Sequence, residues 1–490
     1  MRDGQIMYGE KKRQRGRESG RKNLYQEGRM KITVIGGGGV RSMFLAKSLA
    51  QNSERLGFEE IVFMDHDEEK LRIFGGMAKQ VAKRIRPELK FRLTTDAVDA
   101  VKGADYLITT IRVGGDEMRI RDERTALGRG ILGQETTGAA GFSFAMRSVP
   151  ALVEYCELAR EYAAPHVKVF NFTNPAGVVS QTLRDMGYDF TFGICDAPSG
   201  LLHSVAELYH ADPDSVTGEC YGLNHLSFFE SIKLDGKEIM PELLKEPRLY
   251  TETDMRFFRR DLVAHFGCVL NEYLYYFLYR EEAVQNILDA KVTRGEVIRD
   301  VNHHMMEELS NLNDPSGLDM EKDFEDCLKI FEKWYGQRTN AYMANETGVS
   351  RENKPYHFDI YGKDEGGYAG VALGYIRAQV EKKASEMILC VPNQGAIPGL
   401  LDDDVVEITC TIEKGVCTPH RIEHPGELQM ELIRRVKMYE RLASEALREK
   451  STAKAVECLM VHPLVNSYSL AQRLVQDYLK INQEYTKGWK

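Results

Sequence analysis

A chain of 490 residues has room for roughly two to four domains, and 43% hydrophobic with 28% charged residues, 42 Gly and 15 Pro describes a globular protein. That composition excludes collagen-like, coiled-coil and low-complexity organisations, and no run approaches the roughly 18 apolar residues of a membrane helix. A formal charge of -9 argues against a general nucleic-acid surface.

The charge is uneven. Residues 1–29 hold nine Lys or Arg against four Asp or Glu, a net +5, which leaves -14 for the rest. This segment lacks apolar periodicity and reads as a disordered basic extension, with a nucleic-acid arm as the alternative; Met30 opens the folded part. No apolar block follows it, as a secretory signal requires. Nine Cys without a CxxC pair suit reduced thiols and a cytoplasmic protein.

From Met30 the chain reads as a β-branched strand at 31–35, a glycine turn at Gly36–Gly39 and a helix from Val40 to Leu49. A buried strand at 61–64 ends in Asp65 and is followed by a helix over 68–84. Strand signals recur at 106–111, 167–170 and 190–194 between helical segments. Strands alternating with helices predict an α/β fold, with a Rossmann-like, doubly wound parallel sheet over 30–198. The second half, 199–490, predicts a mixed α/β domain. It has amphipathic helices at 251–282, 294–310 and 321–345, a loop at 350–367, strands at 387–391 and 405–412, and helices at 426–448 and 466–483.

The glycine turn is a candidate phosphate cradle, because Gly36, Gly38 and Gly39 lack the Cβ atoms that keep backbone amides from a pyrophosphate, and a helix N-terminus follows. Arg41 stands where the third glycine of the dinucleotide fingerprint falls. Asp65, at the next strand's end, is placed to accept both ribose hydroxyls, which favours NAD over NADP. Four blocks carry polar residues that a core would not choose, Ile111–Gly115, Gly133–Gly138, Asn171–Gly177 and Gly193–Pro198, and three of them begin at or just beyond predicted strand ends. Another, Gly222–Leu226, lies further on. A thiolate from Cys195 and an imidazole from His225 can share a divalent metal and leave positions open for substrate oxygens, although spacing alone equally suits a packed Cys and a packed His.

From Met30 onward these blocks together resemble glycoside hydrolase family 4, the NAD- and metal-dependent glycosidases. The matching motifs are IGGGG at 35–39, MDHD at 64–67, IRVGG, GQETTG, NFTNPAG, the Cys195 block, GLNHL and NQGAIPG at 393–399. The resemblance implies a lactate/malate dehydrogenase-like fold, a homodimer or homotetramer, and a phosphorylated sugar as substrate. It also implies a distinctive chemistry. NAD takes a hydride from the sugar 3-hydroxyl, the resulting ketone acidifies the C2 proton, a base removes that proton and the aglycone leaves. Water then adds and the hydride returns. A carbonyl held on a divalent metal can spread the enolate charge, which is what makes C2 acidic enough.

Carried over by position, the resemblance implies Cys195 and His225 as ligands of Mn(II) or another divalent metal. The proton-abstracting base is Tyr273, with Tyr276 in reserve; Tyr275 and Tyr279 read as core. Arg112, Asn174 and Arg294 hold the substrate, the arginines suiting a 6-phosphate, with an ordinary ion pair as the alternative for either. Asp196 is placed as a proton donor to the departing oxygen, or as a simple helix cap. Within the family an Asp after the Cys accompanies 6-phospho-α-glucosidases, whereas GLNHLSFF and the stretch 386–407 look like the β subgroup; the reading here favours 6-phospho-β-glucosides. The rival readings are a glycosidase for unphosphorylated sugars, a 2-hydroxy-acid dehydrogenase and a nucleotide-sensing protein.

Overall fold

The computed structural model describes residues 30–312, 319–350, 354–364 and 367–490, so the expected extension over 1–29 lies outside the described residues. The first six strands are β1 (Met30–Ile35), β2 (Phe58–Met64), β3 (Lys90–Thr94), β4 (Tyr106–Thr109), β5 (Lys168–Asn171) and β6 (Thr191–Gly193). They pair in parallel in the spatial order β3-β2-β1-β4-β5-β6, the doubly wound arrangement whose ligand crevice opens at the carboxyl ends beside β1 and β4. Ile32, Val34, Ile61, Phe63, Ile108 and Phe170 are fully buried, as strands covered on both faces require. The helix Ser42–Leu56 packs Leu45, Ala46 and Leu49 into the same core and ends at Gly57, whose φ of +79 few other residues adopt.

The sheet does not stop at β6. β11 (Ser385–Pro392) pairs with it antiparallel, Cys390 opposite Gly193. A Cβ on Gly193 would lie 2.3 Å from Ser180 Oγ and 2.7 Å from Cys390 Cβ, so the approach needs glycine. Beyond β11 follow β12 (Val405–Glu413), β7 (Val216–Leu223), β8 (Leu226–Leu234) and β10 (Val269–Leu270), all antiparallel. The short β9 (Lys237–Glu238) and β13 (Val416–Pro419) pair with β8 and β12. One sheet therefore joins both halves of the chain.

The segment 251–282 departs from the single long helix its periodicity predicts. It forms short turns at Leu249–Glu252, Asp254–Phe257 and Arg260–Phe266, then β10, then turns at Glu272–Leu274 and Tyr275–Leu278. Local chemistry breaks it. Thr253 accepts from Met255 N, Gly267 takes φ +64, and Asn271 accepts from Tyr273 N. Each break restarts the backbone while the apolar spacing continues. The helices Arg294–Asn311, Glu427–Glu449 and Tyr468–Ile481 lie where expected. No helix among the described residues is long and apolar enough to cross a membrane.

Candidate active site

The carboxyl ends of β1, β2, β4, β5 and β6 deliver the glycine loop, Asp65, Arg112, Asn174 and Cys195 to one edge of the sheet. Backbone packing sets the glycine loop. Gly36 and Gly37 both donate to Met64 O at 2.8 Å, Gly38 donates to Asp65 Oδ2 at 3.0 Å, and Gly39 to Gly36 O at 3.2 Å. The expected cradle of free amides is thus not what these four residues present, since three of the N–H groups are bonded to Met64 and Asp65 and the fourth within the loop. What the glycines permit is close packing of the turn on the sheet. A Cβ would lie 2.5 Å from Thr110 O at Gly36 and 2.9 Å from Asp65 Oδ2 at Gly38, whereas Gly39 is exposed. Asp65 braces this loop with one oxygen and accepts from Asp67 N with the other, at 3.1 Å, keeping further lone pairs for a ribose. Gly36, Gly39, Arg41, Thr110 and Phe172 line the cleft between β1 and β4.

Cys195, just past β6, and His225, at the tip of the β7–β8 hairpin, meet with Sγ 3.5 Å from Nε2. Both are buried. Burial holds the imidazole down to about 3, so the ring is neutral and keeps a lone pair, while burial and the charges of Glu407 and Asp196 push the Cys195 thiol well up. A divalent cation suits this pair because it replaces the thiol proton and needs the neutral ring. Among the described residues no group of three or more His, Cys, Asp or Glu is placed to hold a metal.

Tyr273 stacks on the His225 ring, centroids 3.9 Å apart and planes 14° from parallel. Tyr276 is 1% exposed and meets Tyr273 only at its edge, 5.9 Å between centroids. Burial and the Glu272 carboxyl raise the pKa of Tyr273, so these surroundings alone do not make it a base; a cation beside the ring would oppose that shift. Tyr275 and Tyr279 stack on each other at 4.8 Å, and Tyr279 Oη accepts from Arg259 N. Asp196 stands at the N-cap of the helix Ala197–Leu208 without making a cap bond. It faces Arg41 Nη1 across the cleft at 3.8 Å, which ties the turn after the glycine loop to the loop that carries Cys195.

Arg112 pairs with Glu135 through both nitrogens of its fork, and Arg119 Nη1 holds the same carboxylate at 3.0 Å. Burial would raise the Glu135 pKa, but the two guanidiniums bring it down to about 2. Arg294 opens the helix Arg294–Asn311 behind Thr293, which forms a capping box with Glu296. Its Nη2 donates to Arg338 O at 3.0 Å and its buried Nη1 meets no partner among the described residues. Arg338 was not foreseen. Burial and its neighbours Arg41, Arg294 and Arg112 lower its pKa, the mark of a cluster of like charges. Asn174 lies in the loop after β5, its carbonyl accepting from Ser148 Oγ at 3.3 Å. Its block neighbour Asn171 ties β4 to β5, accepting from Thr109 Oγ1 at 2.9 Å and from Thr173 N at 3.1 Å. Glu135 lies in the GQETTG motif but was given no role there, and Arg338 lies in no motif, because groups 203 positions apart in the chain share no local pattern.

A glycine-turned Rossmann crevice with a Cys–His pair on its lip defines an enzyme that works with a dinucleotide and a divalent metal. Two family models match the chain, Family 4 glycosyl hydrolase over residues 31–211 and Family 4 glycosyl hydrolase C-terminal domain over 220–465. The 6-phospho-beta-glucosidase BglT of Thermotoga maritima is 30% identical over 94% of this chain and 100% of its own length. The maltose-6'-phosphate glucosidase MalH of Clostridium acetobutylicum is 25% identical over 93% and 98%. A solved Thermotoga maritima 6-phospho-beta glucosidase with manganese, NAD+ and glucose-6-phosphate superposes with a TM-score of 0.74 at 28% identity, covering 93% of this chain and 99% of that one. The chain belongs to family 4 of the glycosyl hydrolases.

Proposed function

We propose that this glycosidase hydrolyses 6-phospho-glucosides, the β-linked ones preferentially, by an oxidation and elimination sequence in place of displacement by two carboxylates. The observation that carries the reading is the Cys195–His225 pair with Tyr273 stacked on its imidazole, at the same sheet edge as the glycine loop and Asp65. When bound, NAD would supply a reversible hydride acceptor and a divalent cation such as Mn(II) would supply Lewis-acid charge beside the sugar oxygens.

The protein's own groups do the rest. Cys195 and His225 hold the cation, and Gly36, Gly38, Gly39 and Asp65 shape and brace the cofactor's bed. Arg112, Asn174 and Arg294 hold the sugar, and Arg294 and Arg338 give its phosphate an electropositive seat that the nearby carboxylates leave only partly neutralised. Tyr273 Oη takes the C2 proton. Asp196, unused as a cap and facing Arg41 across the cleft, would serve the departing oxygen, and this favours a second reading in which α-linked substrates are taken. Nine free cysteines suit a reducing compartment, the cytoplasm.

Turnover of paired α- and β-aryl glucosides, with and without 6-phosphate, in NAD, Mn(II) and a reductant tests this. The β-6-phosphate should release its aglycone without net NADH. Release only from unphosphorylated glucosides, or NADH accumulation with a 2-hydroxy acid, would contradict it.

A further inference from the structure

The hairpin tip that carries His225 is held from beneath. Asn224 and His225 are the two turn residues between Leu223 and Leu226, and His225 sits in the left-handed region at φ +62, which a side chain disfavours. Gly222, before the turn, has φ +141 and no space for a Cβ, which would lie 2.3 Å from Leu226 O. Directly across the ladder from Gly222 stands Glu407 of β12, 1% exposed. A carboxylate buried there is costly unless it is bonded, and Glu407 makes no ion pair among the described residues.

Cys390 Sγ donates to Glu407 Oε1 at 3.9 Å, and the carboxylate's two shorter bonds come from residues flanking His225. Asn224 Nδ2 donates to Oε1 at 2.9 Å and Ser227 Oγ donates to Oε2 at 2.8 Å. The chain of contacts continues. Asn271 Nδ2 donates to Ser227 Oγ at 3.2 Å, Asn271 N donates to Ser227 O at 3.0 Å, and Asn271 Oδ1 accepts from Tyr273 N at 3.0 Å. Tyr273 then closes the circuit by stacking on His225. One buried carboxylate therefore braces both flanks of the His225 turn and, through two side chains, the start of the turn that carries the tyrosine.

We infer that Glu407 is a positioning residue of the reaction: it clamps the Asn224–Ser227 turn so that His225 Nε2 faces Cys195, and it fixes Tyr273 against the same imidazole through Ser227 and Asn271. This rests on the proposed roles of Cys195, His225 and Tyr273. What Glu407 supplies is geometry carried by hydrogen bonds. Glutamine can therefore replace it, its carbonyl accepting from Asn224 and its amide donating to Ser227 Oγ, whereas leucine of similar volume cannot.

The test measures Mn(II) affinity by electron paramagnetic resonance and NAD affinity by fluorescence titration, on full-length wild type, Glu407→Leu, Glu407→Gln and Cys195→Ser. Glu407→Leu should weaken Mn(II) roughly 10- to 100-fold, Glu407→Gln should stay near wild type, and NAD affinity should hold in both. Wild-type Mn(II) affinity in Glu407→Leu, or equal loss in Glu407→Gln, overturns the inference. Cys195→Ser reports separately, because undiminished Mn(II) binding there removes the metal site itself and leaves Glu407 nothing to position. Should Glu407→Leu fail to fold, Ser227→Ala decides the matter. It should lower kcat at saturating Mn(II) with little change in KM, and an unchanged kcat overturns the inference.

Discussion

Tyr273 is asked to take a proton from carbon in surroundings that favour its own protonation, since burial and Glu272 both raise its pKa. The hydrogen bond with Tyr342 opposes that rise, and a cation on the Cys195–His225 pair, on which its ring is stacked, would oppose it further. Tyr273→Phe should therefore lower kcat by roughly 10²- to 10⁴-fold, while Mn(II) and NAD titrations stay at wild-type affinity. Cys195→Ser should lose Mn(II) binding and keep NAD. At the phosphate end, Arg338→Ala should raise KM for a 6-phosphoglucoside by roughly tenfold or more, the scale of one charge-assisted contact. It should leave KM for an unphosphorylated analogue alone, and equal effects on both would remove Arg338 from the phosphate seat. The glycine loop, Asp65, Arg112, Asn174 and Cys195 could be read because each follows a strand end, where an open α/β sheet gathers its ligands, whereas Tyr273 and Arg294 came only from the family resemblance. Arg338 could not be read, since it lies within a helix, Phe324–Asn340, whose pattern reports only its packing face.

At the scale of elements, the site hangs on a two-residue hairpin turn and on a helical region broken into pieces. Five of the six parallel strands were legible as short apolar runs between helical segments; β3 was not, because in Lys90–Thr94 only Phe91 is buried and charged Lys90 and Arg92 break the run. β7 and β8 were not, because Glu219, Ser227, Glu230 and Ser231 interrupt the apolar alternation for reasons of pairing and site-building that a count of hydrophobic positions does not register. The region 251–282 was misread for the converse reason: its apolar spacing persists through caps at Thr253 and Asn271 that end the helical bonds. Gly222→Ala tests the hairpin. A Cβ at φ +141, 2.3 Å from Leu226 O, should cost about 1–3 kcal/mol and weaken Mn(II) binding along with stability. Destabilisation with unaltered Mn(II) affinity would detach the turn from the metal site.

For the whole molecule, the continuous sheet brings distant buried groups into one cooperative structure, and its acid sensitivity follows. His462 is fully buried beside Tyr439 and Phe277, its Nδ1 accepting from Leu464 N at 3.1 Å, and burial lowers its pKa to about 3. A base whose folded pKa is depressed binds a proton only in the unfolded chain between about 3 and 6.5, so stability is lost as pH falls through that window. His462 should cost about 2 kcal/mol between pH 7 and pH 5. Denaturant titrations should show a shallower pH dependence in His462→Phe than in wild type; parallel profiles would show that the imidazole is not held neutral.

The central claim is that this chain cleaves a glycosidic bond by first taking the proton from C2, with Tyr273 as base in a cleft shared by NAD and a metal held on Cys195 and His225. Comparing the rates of aglycone release from an aryl β-glucoside 6-phosphate and its C2-deuterated form, with NAD and Mn(II) present, tests that claim most directly. The account predicts a primary isotope effect, and no release once NAD is removed. Equal rates for the two substrates, with turnover persisting without NAD, would contradict it.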